Sequence, residues 1–164
     1  MSAKKNAPQD ASPLAEAGRR WLAGQGLAPE RVEPGLWGAP WQGEGAAPDD
    51  AAAGVAGVIL AGCVDDDLAA VHVILPGTVP AARRAEAALM MMTFSQGEPV
   101  AALMLDPEDG EVRVRTGVDL TDVDADLEGL FATLGGHALN AADELAAALD
   151  GLLTFETGAD GLPA

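Results

Sequence analysis

Two histidines and a single cysteine are the side chains in this sequence best suited to nucleophilic, acid–base or metal chemistry. Cys63 lies in an apolar run with no Lys or Arg near it to activate the thiol, which is typical of an inert core residue. Pairing Cys63 with a histidine requires the fold to bring them together. His72 falls in a predicted strand and His137 near the apolar stripe of a predicted helix, positions typical of structural histidines. The alternative hypothesis is a small enzyme or ligand-binding domain that uses His72, His137 and carboxylates.

The acidic run from Asp122 to Asp126 has the spacing of the first half of a calcium-binding loop. The second half does not follow, because Leu127 stands at the position of the sharp-turn glycine and Thr133 at that of the bidentate glutamate. Acidic residues at a helix N-terminus explain the run without a metal. No H-E-x-x-H, G-x-S-x-G or phosphate-loop motif occurs. The sequence therefore predicts no catalytic residue, no metal and no cofactor.

The charge of the chain argues against a nucleic-acid partner. Nine basic residues stand against 26 acidic ones, which gives a formal net charge of −17. Binding to DNA or RNA needs Lys and Arg to displace counterions from phosphates. No basic residue follows Arg115, so the C-terminal third projects a negative field that favours a basic or polar protein surface. The charge is equally explained if it only keeps the protein soluble.

The sequence also predicts a cytoplasmic protein without a membrane anchor. Lys4 and Lys5 are not followed by the apolar segment of a signal peptide. The longest apolar run, Ala51 to Val64, falls short of the roughly 20 residues that a membrane span needs. One cysteine permits no internal disulfide, which fits a reducing compartment.

Hydrophobic periodicity and turn residues predict one α+β domain over residues 13–152, between tails at residues 1–12 and 153–164. Ser12 is the predicted cap of the first helix, and Asp106 to Gly110 is a tight turn between two strands. The predicted order is α-β-β-β-α-β-β-α, with helices covering a mostly antiparallel sheet. The elements are a helix from Pro13 that Gly24 and Gly26 end, strands near 32–37, 53–64 and 68–75, a helix at about 80–94, strands at 100–105 and 111–116, and a helix at about 121–152.

Three features leave alternatives open. Gly135 and Gly136 either kink or split the last helix. Trp37 and Trp41 either pack their loop onto the sheet or form an exposed anchor. The helix ending near Phe94 is apolar beyond the single stripe that a surface helix needs.

That surplus of apolar residues on one helix predicts a contact with another chain. Ala85, Leu89 and Met92 form the predicted core stripe, and the surplus lies beside it. Methionine suits adaptable interfaces. We therefore predict that the run Leu89, Met90, Met91 and Met92 contributes to a self-contact or a partner contact. The competing interpretation is a helix fully buried inside its own domain.

Residues 80–150 resemble the YbjN family of bacterial proteins. The resemblance is carried by the helix Ala81 to Phe94, by the segment L-M-L-D-P-E-D-G-E-V-R-V-R that ends at Arg115, and by the closing helix with Leu134 and the run Asn140 to Asp143. It implies a fold like that of the class I type III secretion chaperones, which are small, acidic and usually homodimeric. It further implies binding of a client protein without a nucleotide, a link to stress responses, and no catalytic residues to transfer.

Overall fold

A computed structural model describes residues 12–41, 57–65, 67–97, 100–121 and 124–154 of the chain. The first helix, α1, spans Pro13–Gly24. Four strands follow, β1 (Glu30–Glu33), β2 (Leu36–Trp41), β3 (Gly57–Asp65) and β4 (Leu68–Thr78). A single 3₁₀ turn, Ala81–Arg83, leads into α2 (Arg84–Phe94), and the chain continues with β5 (Ala102–Leu105), β6 (Glu111–Asp119) and α3 (Leu127–Ala148).

The strands form one six-stranded sheet in the order β1-β2-β3-β4-β6-β5, and each neighbouring pair is antiparallel. The predicted fold class, an α+β domain with helices covering an antiparallel sheet, is thereby confirmed. The segment predicted to hold one strand near Val32 to Trp37 instead holds the hairpin β1–β2, because Pro34 and Gly35, with a φ of 82° at Gly35, turn the chain back on itself.

The helices pack on one face of the sheet. Side chains alternate between the faces of a strand. Val71 and Val73 of β4 and Val114 of β6 are fully buried on the helical side, in one cluster with buried residues of all three helices. Phe131 of α3 is the largest fully buried side chain. We call this side the helical face. The opposite side, the second face, carries alternate residues such as His72 and Arg115, and the described residues place no helix on it.

Helix α1 begins where the sequence predicts. The Ser12 hydroxyl accepts a hydrogen bond from the backbone N–H of Leu14 at 3.2 Å, and Pro13 occupies the first helical turn. Trp21 and Leu22 of this helix are buried in the core. The predicted cap and the observed one agree because capping depends on local residues alone.

Helix α3 is continuous through Gly135 and Gly136. Gly135 is buried, and a Cβ atom there would collide with the Trp21 ring, whereas a Cβ at Gly136 would meet nothing within 4 Å. The first glycine thus lets α1 and α3 approach closely and does not interrupt the helix.

The start of α3 differs from the predicted Thr121. β6 continues to Asp119, whose carboxylate accepts hydrogen bonds from the backbone N–H of Thr121 at 2.8 Å and from its hydroxyl at 2.6 Å. Thr121 therefore belongs to a turn. Asp126 caps the helix instead, accepting from the backbone N–H of Glu128 at 3.2 Å.

The predicted tails fall largely outside the described residues, at 1–11 and 155–164. Thr154, predicted to lie in the C-terminal tail, exchanges two backbone hydrogen bonds of 2.9 Å with Thr78. This short bridge ties the end of the described chain to β4. None of the described helices is both long enough and apolar enough to span a lipid bilayer.

Candidate functional site

Helix α2 presents apolar side chains to solvent. Leu89 is 65% exposed and Met92 is 67% exposed, and Met90 is also exposed. Met91 is only 5% exposed and belongs to the domain's own core, together with Ala87. Of the four residues predicted to make a contact, three are thus available to another molecule.

The predicted core stripe of α2 has the correct period and the wrong phase. Ala85 and Leu89 were expected to face the core, but both are exposed, and Ala87 and Met91 face it instead. Both stripes repeat at i and i+4, and both are apolar. Periodicity alone therefore could not decide which stripe the sheet would cover.

Strand β5 lies beside this helix at one end of the sheet. It pairs with β6 on one side, and no described strand pairs with its other side. A shallow apolar groove between α2 and β5 is lined by Ala88, Met92 and Ser95 of the helical segment and by Ala101 and Leu103 of the strand segment. An edge strand of this kind offers free backbone N–H and C=O groups to another chain.

Most of the large exposed apolar side chains are gathered at this end of the molecule. Six are found among the described residues, and the one outside this region is Val32, on the opposite edge strand. We call the other five the α2–β5 surface: Leu89, Met90, Met92 and Val100, together with Met104, which lies on the second face of β5 opposite Arg113 in the strand register. Between Ala88 and Leu105 the sequence has one charged residue, Glu98, although the whole chain has 35. Exposed apolar side chains that are gathered in a segment with so little charge are typical of an interaction site.

Arginines fix α2 against the rest of the domain. The Arg84 guanidinium donates to the carbonyl oxygens of Val79 at 3.1 Å, Pro107 at 2.7 Å and Glu108 at 3.1 Å. Arg83 donates to the Gly151 carbonyl at 2.8 Å and pairs with Glu86. The helix is therefore anchored at its N-terminal end to the β5–β6 turn and to the end of α3.

Within the described residues, the basic side chains lie apart, and so do Cys63 and the two histidines. Arg83 and Arg84 hold α2, whereas Arg113 and Arg115 lie on the second face of the sheet. Cys63 is buried on the helical face and His72 points to the other face, so the sheet separates them. His137 is exposed on α3.

The acidic run and the tryptophans have structural positions. Asp126 is the cap of α3, and Asp122 lies outside the described residues. No described group of three His, Cys, Asp or Glu side chains is arranged to hold a metal ion. Trp41 is buried in the core, and Trp37 is partly buried and packs against the core. The Arg19 guanidinium lies 6.0 Å from the centroid of the Trp37 ring.

His72 is a buried polar side chain on the second face of the sheet. It is 8% exposed, and its Nδ1 atom has no hydrogen-bond partner among the described residues. Burial, followed by the charges of Arg113 and Arg115, lowers its pKa to about 4. The imidazole is thus neutral at physiological pH, beside two arginines.

Arg113 and Arg115 differ in what they contact. Arg113 forms an ion pair of 2.6 Å with Glu111. Arg115 lies directly opposite His72 in the β4–β6 register and is half-buried, and within the described part of the chain its guanidinium has no hydrogen bond or ion pair. The strict alternation of residues 111–116 predicted that one face of this strand is charged. It did not predict that His72 of the neighbouring strand β4 lies beside that charged face.

Comparison with solved structures identifies the same fold elsewhere. The crystal structure of YbjN from E. coli, described as a putative transcription regulator, matches with a TM-score of 0.54 and 14% identity, over 83% of this chain and 92% of that one. An uncharacterized protein from Methanothermobacter thermautotrophicus matches with a TM-score of 0.48 and 12% identity, over 83% of this chain and 96% of that one. No protein-family description and no curated sequence matches the chain. The resemblance drawn from residues 80–150 is confirmed at the level of the fold, and the chain has the fold of YbjN.

Proposed function

We propose that this protein is a non-catalytic, chaperone-like adaptor that forms a homodimer and binds a client protein. The observation that carries the proposal is the α2–β5 surface, a mainly apolar region at a sheet edge that no described strand covers, in a chain of net charge −17. Two identical chains of this charge repel one another, so a self-contact is favoured where charge is absent. A two-fold axis would use the same surface twice.

Within this surface, the helix and the strand suit different partners. The exposed side chains of α2, Leu89, Met90 and Met92, suit the self-contact, because helices pack through apolar side chains. The free edge of β5 suits an extended client segment, because such a segment adds to a sheet through backbone hydrogen bonds. The acidic surroundings favour a client with basic or polar residues flanking that segment.

The description of YbjN as a putative transcription regulator is compatible with this role. A protein of net charge −17 is a poor ligand for DNA, so a regulatory effect would act through a bound protein. We place the adaptor in the cytoplasm, because its one cysteine fits a reducing compartment. We also expect client binding to respond to stress, as the YbjN resemblance implies.

Sedimentation of the full chain at micromolar concentration tests the homodimer. We expect the wild type to sediment as a dimer and Met92→Asp to dissociate at least about tenfold more readily, because the interface would bury an uncompensated charge. Val32→Asp is the matched control, since Val32 is 54% exposed on the opposite edge strand. A monomeric wild type, or a dimer equally affected by both substitutions, refutes the self-contact.

Affinity capture from the native host tests the client. Met104→Lys places a charge beside the β5 edge, and Val32→Lys places the same charge at the other edge of the sheet. We expect one protein to be captured at near-equal stoichiometry by the wild type and by Val32→Lys, and to be lost with Met104→Lys. Capture that is equal for all three proteins, or absent before and after stress, contradicts the adaptor function.

A further inference from the structure

We propose that Met90 and Met92 of α2 form an oxidative modification site, at which a hydroperoxide converts each thioether to a sulfoxide and thereby dissociates the homodimer. The inference rests on the proposed self-contact through α2, and it names the chemistry that regulates that contact. Two observations carry it. The accessible methionines of the described chain all belong to the α2–β5 surface, and the two hydroxyls beside those of α2 already donate to backbone carbonyls.

The sulfur-containing side chains of the described residues differ sharply in exposure. Met90, Met92 and Met104 are 36%, 67% and 45% exposed. Met91 and Cys63 are buried, with exposed fractions of only 5% and 2%. Oxidation of a side-chain sulfur by a dissolved oxidant requires access to it. The three exposed methionines are therefore the described sulfur sites that a dissolved hydroperoxide reaches first, whereas the one cysteine is protected by the core.

Two of these three methionines lie where the proposed self-contact needs apolar surface. Met90 and Met92 are on α2, next to the exposed side chain of Leu89. Met104 instead lies on the second face of β5, opposite Arg113 in the strand register. A two-fold contact through α2 buries each helix methionine twice, once from each subunit. Oxidation of either residue thus places two sulfoxides in one interface, whereas oxidation of Met104 leaves the α2 contact unchanged.

The chemical step is a two-electron transfer of one oxygen atom. The thioether sulfur attacks one oxygen of hydrogen peroxide, the O–O bond breaks, and water leaves, so the sulfur is oxidised to a sulfoxide and the peroxide is reduced. The product carries a polar S=O group on a side chain that was apolar. A methionine sulfoxide reductase reverses the step by using two thiols, which become a disulfide while the sulfoxide oxygen leaves as water.

A sulfoxide oxygen in this contact would find the neighbouring hydroxyl donors already engaged. The Thr93 hydroxyl donates to the carbonyl oxygen of Leu89 at 3.1 Å, and the Ser95 hydroxyl donates to that of Met92 at 3.0 Å. After the first residue of α2, the next basic residue of the sequence is Arg113. Burying an unsatisfied acceptor costs free energy, whereas water satisfies it in the separated subunit. Oxidation should therefore raise the dissociation constant of the dimer at least about tenfold.

Mass spectrometry of the full chain after treatment with hydrogen peroxide locates the modification. The chain is first diluted until it is monomeric, so that the proposed contact does not shield α2. Trypsin cuts after Arg84 and next after Arg113, so one peptide holds all four described methionines, and its fragment ions separate them. We expect the sulfoxide to form at least about tenfold faster at Met92 than at Met91, because buried Met91 reacts only when the structure opens locally. Equal rates at these two neighbouring residues overturn the site.

Sedimentation of untreated and oxidised chains, at the concentration where the untreated chain is dimeric, tests the effect on assembly. Leucine is apolar and has a helix propensity close to that of methionine, but it has no sulfur. A variant that combines Met90→Leu with Met92→Leu should therefore dimerise normally and resist peroxide. Met104→Leu is the matched control, because it removes an exposed sulfur outside the α2 contact, and it should lose affinity on oxidation as the wild type does. Equal weakening of the double variant and the wild type refutes the proposal.

Failure of this inference is distinguishable from failure of the proposed function. A wild type that is monomeric before peroxide is added refutes the self-contact, and the inference falls with it. A wild-type dimer that persists unchanged when Met90 and Met92 are sulfoxides refutes the inference alone. Methionine sulfoxide reductases for both sulfoxide epimers, with dithiothreitol as the reductant, should restore the dimer. A chain that stays dissociated after both residues are reduced was damaged elsewhere, and this result would also overturn the assignment.

Discussion

The buried histidine on the second face makes the stability of the domain depend on pH in a defined direction. The pKa of His72 is about 4 in the folded protein, whereas an exposed histidine has a pKa of about 6.5. Between these values the unfolded chain binds a proton that the folded chain does not. Stability therefore falls as the pH drops through 6.5, and the loss is complete below pH 4.

The size of the loss follows from the two pKa values. The full difference corresponds to about 3 kcal/mol, and about 2 kcal/mol of it is lost by pH 5. The pH range between neutrality and pH 5 suits the measurement, because most carboxylates remain ionised throughout it. Arg113 and Arg115 contribute to the effect by opposing a positive charge on the ring.

Urea unfolding measures this loss of stability directly. The unfolding is followed by tryptophan fluorescence at one fixed protein concentration. We expect the wild type to lose about 2 kcal/mol of unfolding free energy between about pH 7.5 and pH 5, and His72→Leu to lose much less, because leucine does not titrate. His137→Leu removes the exposed histidine and should behave as the wild type does. An equal loss in the wild type and in His72→Leu would show that burial does not depress the pKa of this residue.

Three further predictions concern the core and the start of α3, and they use the same unfolding assay. Gly135→Ala should destabilise the domain by about 1–3 kcal/mol, because its Cβ meets the Trp21 ring, whereas Gly136→Ala should stabilise it by up to about 1 kcal/mol. Equal effects of the two substitutions would contradict the close packing of α1 on α3. Phe131→Ala should cost about 3–5 kcal/mol, and a cost below 1 kcal/mol would mean that the site is not a packed core. Asp126→Ala should cost about 1 kcal/mol, and no change would place the helix start elsewhere.

Local signals in the sequence were enough to predict the elements that depend on neighbouring residues. The β5–β6 hairpin was predicted from its turn, and Gly110 at its end has a φ of 83°, where a side chain would collide with the backbone of Val79. The cap of α1 at Ser12 was predicted for the same reason. In both cases the deciding contacts span only a few residues.

Features that depend on distant contacts were predicted less well. Whether Gly135 breaks α3 depends on Trp21, which is remote in the sequence. The phase of α2 depends on which of two apolar stripes the sheet covers. The pairing of His72 with Arg115 depends on the register between β4 and β6, and a shift of one residue would place the two on opposite faces. A single sequence contains no direct signal for such a register.

The two parts of the α2–β5 surface are separable by substitution. A self-contact through α2 depends on the exposed side chains of Leu89, Met90 and Met92, whereas a chain added to the β5 edge is held by backbone hydrogen bonds. Met92→Asp should therefore weaken the dimer without abolishing client capture, and Met104→Lys should do the reverse. If either substitution abolished both, the helix and the strand edge would form one composite interface.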